Sequence, residues 1–213
     1  VAAPVMFIKT AGILNQFQIL DFLALQGITA ASVGAGKHSM SNGANLAFEK
    51  AAFIAVGGYQ GVDHIASGDD MFLMHKMKKT LAKPIGYLFH PDAIVLTDAM
   101  PTWKQFVMQR IRWSSKARYY DDRSIFWVLL LVYLFNLSFL LMFILGDFKS
   151  LIIALAFKTF FELFFLDPVA QFFHKKEELR YFPLYQPIHI LYNIVAGLFG
   201  QIKMYTWKGR KVK

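Results

Sequence analysis

The sequence predicts an α/β region over residues 1–100, an amphipathic interfacial helix over 101–123 and an α-helical membrane region over 124–213. Three observations carry that division. The chain is 56% hydrophobic and 16% aromatic, which is rich for a soluble protein of 213 residues. Residues 125–146 run IFWVLLLVYLFNLSFLLMFILG without a charge, and 22 residues rising about 1.5 Å each cover about 33 Å, enough to cross a hydrocarbon core. The net charge of +9 lies wholly beyond Met100: residues 1–100 hold 7 Lys against 7 Asp or Glu, and residues 101–213 hold 16 basic against 7 acidic residues. Because the basic residues flank apolar runs, they suit anionic headgroups better than nucleic acid. The chain has no cysteine, so disulfide scaffolds, thiolate metal sites and cysteine nucleophiles are excluded.

The first hundred residues mix short elements with turn signals, the signature of an α/β domain. Asn15 with Gln18 makes a capping-box start for a helix through about Gln26, with Phe17, Leu20 and Ala24 on one face. Residues 32–45 read as loop, Ala44 to Phe48 as a short strand, Glu49 to Val56 as a helix, and Gly57-Gly58 as a turn. A second helix is expected over Met71 to Lys79, and further strands over Ile85 to Phe89 and Ala93 to Thr97. Nothing at Val1 resembles a signal peptide, so the chain reads as an internal start, that is, a fragment.

In the segment 102–120, Thr102 and Gln105 supply a capping box for an amphipathic helix. At 100° per residue Trp103, Phe106, Val107 and Ile111 fall on one side, and Gln105, Gln109, Arg112, Trp113 and Lys116 on the other. Such a helix, basic and placed just before an apolar run, suits the membrane surface. After 125–146 comes a turn at Gly146-Asp147. A second span follows over 148–166, where Lys158 and Glu162, four residues apart, can pair on one face. The third apolar stretch, 181–202, contains Pro183, Pro187, Gln186, His189 and Asn193. It is either a third crossing, which would put the basic tail outside, or a re-entrant or interfacial segment.

Two clusters could carry chemistry. Gln109, Arg112 and Trp113 stand at i, i+3 and i+4, bringing an amide, a guanidinium and an indole together. A guanidinium forks onto phosphate oxygens, and an aromatic ring offers a flat surface to a sugar's apolar face. The same spacing fits an ordinary interfacial helix. Asp69 and Asp70 open a helix, where carboxylates are stabilised by free N–H groups and the dipole. Capping is one reading; a general base held for a hydroxyl proton is the other. Gly34-Ala35-Gly36-Lys37-His38 is not a phosphate loop, since Ala31 and His38 break the pattern, and the six histidines show no paired metal-ligand spacing.

Taken in order, these segments resemble the second half of the membrane-bound family 2 glycosyltransferases that include cellulose, hyaluronan and glucosylceramide synthases. Gln109-Arg110-Ile111-Arg112-Trp113 matches the family's Q-x-x-R-W, and Ser67-Gly68-Asp69-Asp70 matches its upstream acidic motif. Asn42-Gly43-Ala44-Asn45-Leu46-Ala47-Phe48, followed by Val56-Gly57-Gly58-Tyr59, is similar to its segment leading to the acceptor site. The resemblance covers roughly residues 1–123 and implies a partial GT-A (nucleotide-diphospho-sugar transferase) fold, of which residues 1–100 are the acceptor-side half. It implies that Asp70 is the base for the acceptor hydroxyl and that Asp69 orients it. Gln109, Arg112, Asn42 and Asn45 would bind acceptor or diphosphate, and Trp113 would stack on the acceptor sugar.

The implied reaction is an inverting displacement from a nucleotide-sugar, such as a UDP-sugar, onto a hydroxyl of a growing polysaccharide, assisted by Mg²⁺ or Mn²⁺. A lipid acceptor, or a non-catalytic membrane scaffold, are the alternatives. The sequence departs from the family in having no nucleotide-binding βα units and no D-x-D metal motif, so the metal ligands are expected upstream and this chain alone is expected to turn over little. Membrane lipids are the remaining expected partner, nucleic acid is not, a partner subunit is left open, and the site is expected on the cytoplasmic side of an inner or plasma membrane.

Overall fold

The computed structural model describes residues 1–37, 41–61, 68–81, 85–116, 123–202, 205–207 and 210–212. Its centre is the N-terminal strand β1 (Val5–Phe7), every residue of which is buried. It pairs in parallel with β2 (Val95–Thr97), in the register Val5 with Val95, Met6 with Leu96 and Phe7 with Thr97. Ala2 extends the strand by single bridges to Leu46 on one side and Tyr87 on the other. The expected strands over 44–48 and 85–89 are thus reduced to one bridge each. Gly43–Asn45 instead forms a 3-10 turn, because the Asn42 side chain accepts from the Ala44 N–H and starts it.

Helix α1 (Ile13–Gly34) covers this sheet and runs well past Gln26. The expected capping box at Asn15 and Gln18 does not form. The helix already begins at Ile13 behind Gly12, whose φ is 117°, so both amides lie inside it and clamp neighbouring loops. Asn15 accepts from the Thr10 N–H at 2.9 Å, and Gln18 exchanges two bonds of 2.9 Å with the backbone of Met100. Helix α2 (Lys50–Ala55) agrees with expectation, and Gly57 and Gly58 turn the chain at φ 69° and 54°. Helix α3 (Asp69–Leu81) carries Asp69 and Asp70 in its first turn and Lys78 and Lys79 in its last, both placements favoured by the dipole. Helix α4 (Trp103–Ser114) is N-capped by Thr102, whose hydroxyl accepts from the Gln105 N–H at 3.3 Å. The remainder of its expected course, 117–120, lies outside the described residues, as do Ser67 and residues 38–40 of the expected loop.

Helix α5 (Arg123–Ile144) turns at Gly146 into α6 (Phe148–Phe172), which Asp147 caps through the Ser150 N–H. After a 3-10 segment, Lys176–Tyr181, comes α7 (Phe182–Ile202), then a small antiparallel pair, β3 (Tyr205–Trp207) with β4 (Arg210–Val212). Among the described residues α1 and α5 are both long and apolar enough to cross a membrane, but 61% of α1's apolar window is buried in the chain's own core against 17% of α5's. Helix α6 enters that core. Leu166 and Ala170 pack with Ile19, Leu20 and Leu23, and Gly27 allows the approach, since a Cβ there would stand 2.7 Å from Val169 Cγ2. Lys158 and Glu162 of α6 do pair, at 2.7 Å, and Gln186 of α7 closes the triad with bonds of 2.6 Å to each.

Helix α7 lies along α4 and also packs on α5 and α1. Phe17 and Phe106, both essentially unexposed, join Tyr185 and Tyr192 in one aromatic cluster between α1, α4 and α7. Burial of each such ring contributes on the order of 1.5–3 kcal/mol. Gly200 sits so close to α4 that a Cβ would meet Ser114 Cβ at 2.8 Å, and the Gln201 amide donates to the Ser114 carbonyl at 3.0 Å.

Candidate active site

The acidic motif is a glycine turn feeding a helix. Gly68 is buried at φ 87°, its carbonyl accepts from the Phe72 N–H at 2.8 Å, and α3 starts on the next residue. Asp69 is exposed and Asp70 half-buried. Both oxygens of Asp70 already accept backbone N–H groups, Oδ1 from Met71 and Oδ2 from Gly43, each at 2.7 Å. The carboxylate is thereby fixed between the first turn of α3 and the Asn42-Gly43 turn, with lone pairs left for a hydroxyl proton. A Cβ on Gly43 would lie 3.4 Å from Asp70 Oδ2, an ordinary van der Waals contact, so the approach does not depend on glycine there.

The two asparagines are employed differently. Asn42 caps the 3-10 turn that presents Gly43. Asn45 donates both amide hydrogens to carbonyls, of Pro4 at 2.8 Å and Ala93 at 2.7 Å, and so stitches β1 to the entry of β2. Its geometry is that of a structural strut.

On α4 the predicted apolar face is only partly seated: Phe106 and Ile111 are buried, whereas Trp103 remains 41% exposed. Arg110, the unspecified position after Gln109 in Q-x-x-R-W, is 4% exposed. Its Nη1 donates to Gln109 Oε1 at 2.7 Å, and its guanidinium carbon lies 4.3 Å over the Trp113 ring. Gln109 and Trp113 are therefore brought together through a residue that the sequence reading leaves without a role.

The segment just past the end of α4 reaches the acidic motif. Lys116 packs on Gly68 so closely that a Cβ on that glycine would meet Lys116 Cδ at 2.5 Å and Nζ at 3.1 Å. Its ammonium interacts with Asp70, Asp69 and Arg112. Burial lowers the Lys116 pKa below the usual lysine value, Asp70 opposes the shift, Arg112 adds to it and Asp69 opposes it. The Lys116 side chain thus lies against the start of α3, just beyond the end of α4, within electrostatic reach of Asp70, Asp69 and Arg112: an acceptor for a hydroxyl proton beside charges suited to phosphate oxygens. Among the described residues no three His, Cys, Asp or Glu side chains converge as a metal cage.

Comparison with known proteins gives one family. The family described as Glycosyl transferase family group 2 matches residues 2–166, an interval containing the acidic motif, α4, α5 and most of α6. No curated protein and no solved structure matches the chain.

Proposed function

The chain belongs to glycosyl transferase family group 2, whose members transfer sugars from nucleotide-sugar donors, and on that premise we propose that it carries the acceptor side of an inverting membrane transferase. The observation that carries this reading is the approach of the two motifs, Lys116, just past the end of α4, lying on Gly68 within electrostatic reach of Asp69, Asp70 and Arg112.

The acceptor hydroxyl approaches Asp70, which takes its proton as the oxygen attacks the anomeric carbon. The bond from that carbon to the diphosphate oxygen breaks in the same displacement, with inversion, and the nucleoside diphosphate leaves with the electron pair. Arg112 and Lys116 face its developing charge, and Trp113 supports the acceptor sugar. Mg²⁺ or Mn²⁺, when bound to groups beyond those described, would neutralise the same diphosphate.

Membrane attachment is supported by the exposed apolar surface of α5 and α6, where Leu131, Ile144, Phe157, Phe161 and Phe164 all stand 60% or more exposed. The basic segments 104–123 and 174–180 then lie on one side, which the positive-inside rule makes cytoplasmic. The acceptor proposed is a growing polysaccharide. A lipid acceptor is favoured by one feature, an opening of about 390 Å³ against α5 and α6, lined by Phe135, Ala154, Phe157 and Phe161 with Lys158 and Glu162.

The test is release of nucleoside diphosphate from a panel of UDP- and GDP-sugars by membranes containing the whole protein, with and without Asp70→Asn. Donor-specific release that the substitution abolishes is expected, and release that survives it removes Asp70 as the base. Product length then separates chain extension from addition of a single sugar to lipid.

A further inference from the structure

Asp21 belongs to neither motif, yet it is the most deeply buried carboxylate that the site helices share. It sits mid-α1 between Leu20 and Phe22, with 2% of its side chain exposed. A carboxylate on an apolar helix face is tolerated only when its charge is paired and its lone pairs are satisfied. Both conditions are met from other helices. Oδ2 accepts from Arg110 Nε at 3.0 Å and Nη2 at 2.5 Å, while Oδ1 accepts from the Tyr192 hydroxyl of α7. His189, also of α7, stands 3.9 Å away.

The guanidinium that Asp21 fixes is the same group that holds two of the three Q-x-x-R-W side chains. Because Arg110 Nη1 occupies Gln109 Oε1, the amide keeps its NH₂ as the group to offer a ligand, and the Trp113 indole is set at 4.3 Å against the cation. Two anchored N–H donors on one carboxylate set the plane of the fork, so a change at Asp21 turns the group on which Gln109 and Trp113 rest. Helix α7 enters the same arrangement through Tyr192. It meets α4 at Gly200, where the missing Cβ lets the Ser114 side chain sit directly on the α7 backbone, so its seating is felt along α4.

We propose that Asp21 is a positioning residue of the transferase site, acting through Arg110 on Gln109 and Trp113, and that Tyr192 makes this positioning depend on how α7 is seated. The inference rests on the transferase reading.

The experiment is a pair of double-mutant cycles on the whole protein in membranes. It scores kcat/KM for the nucleotide-sugar that supports release, with rates normalised to folded protein. Asp21→Asn and Gln109→Ala are each expected to lower kcat/KM about 10- to 100-fold, and the double variant to be no lower than the worse single by more than about 3-fold, because both disable one unit. A purely structural Asp21 would scale only the amount of folded protein and leave the normalised kcat/KM of Asp21→Asn at the wild-type value; that outcome, or losses that multiply in the double variant, overturns the proposal. Where Asp21→Asn fails to assemble, Tyr192→Phe carries the test, since it keeps the ion pair and removes one hydroxyl. It is expected to lower kcat/KM about 3- to 10-fold, again non-additively with Gln109→Ala, and normal activity in it overturns the role of α7. Absence of release by the wild type from every donor would sink the transferase reading itself, whereas an active wild type with multiplying losses sinks only the positioning role.

Discussion

Gly68→Ala probes the contact on which the functional reading stands. Gly68 has φ 87°, so any L side chain there is strained by about 1–2 kcal/mol. The new Cβ would also lie 2.5 Å from Lys116 Cδ and 3.1 Å from its Nζ. Those atoms are the far end of a flexible side chain, so Lys116 yields rather than the backbone, and the clash adds little to the cost of folding. The expense falls on the site, because the ammonium is turned away from Asp70 and Asp69. Loss of one fixed charge beside developing negative charge lowers turnover by about 10²-fold.

Gly36→Ala is the internal control, since Gly36 has φ 65° with nothing within 4 Å of its would-be Cβ. It carries the backbone strain alone. The assay is nucleoside diphosphate release per folded molecule, with thermal unfolding in detergent measured alongside. The two variants should unfold at similar temperatures, while only Gly68→Ala loses turnover. Turnover of Gly68→Ala within about 2-fold of Gly36→Ala would refute the role given to Lys116, because the expected electrostatic loss is far larger.

The pH dependence of Lys116 gives a second check. With its pKa lowered from 10.5, the unfolded chain binds a proton that the folded one has released, between the lowered value and 10.5, so stability rises with pH across that window. Over the same range the site loses its cation, and the alkaline limb of kcat/KM should fall below pH 10.5 in the wild type and move upward in Lys116→Arg. A limb that Lys116→Arg leaves in place would assign it to another group. In the triad of α6 and α7, Glu162→Ala strands an ammonium that is 3% exposed with only Gln186 as partner. The loss expected is about 3–5 kcal/mol, reduced toward the lower figure because Glu162 itself is one-third exposed, whereas Lys158→Met with Glu162→Leu should be near neutral. Thermal unfolding of the purified protein in detergent decides it, and equal losses in both variants would contradict the pairing.

The residues that announce themselves in the sequence do so through local rules. Thr102 caps α4 and Asp69 and Asp70 open α3 because capping and helix dipoles act within one turn. The uncharged run of α5 is equally local, a matter of length and composition. What was not legible depends on contacts far apart in the chain. Asn15 and Gln18 carry a capping signature, but tertiary bonds to Thr10 and Met100 claim both amides. The strand expected over 85–89 shrinks to a single bridge at Tyr87, since its pairing partner Ala2 offers only one position before β1 takes β2. Arg110 read as an unspecified position because its partner Asp21 is 89 residues away. A signal did exist, a lone aspartate within the apolar run Phe17 to Leu25, which a buried helix carries only when another element supplies the countercharge.

The ion pair of α6 bears on how the protein is made. Lys158 and Glu162 are one helical turn apart, so the pair closes as soon as that turn winds, before Gln186 has left the ribosome. On the membrane reading proposed above, a helix that brings its own counter-ion presents the insertion machinery with a dipole in place of two separate charges, and the cost of moving it into lipid falls accordingly. Moving the glutamate two residues back, by exchanging Phe160 and Glu162, keeps the composition of the helix and breaks the pairing, because residues two apart do not face each other. In a glycosylation-mapping assay of nascent chains that exchange should lower the fraction of α6 inserted, and an unchanged fraction would mean that the pair serves only the finished fold.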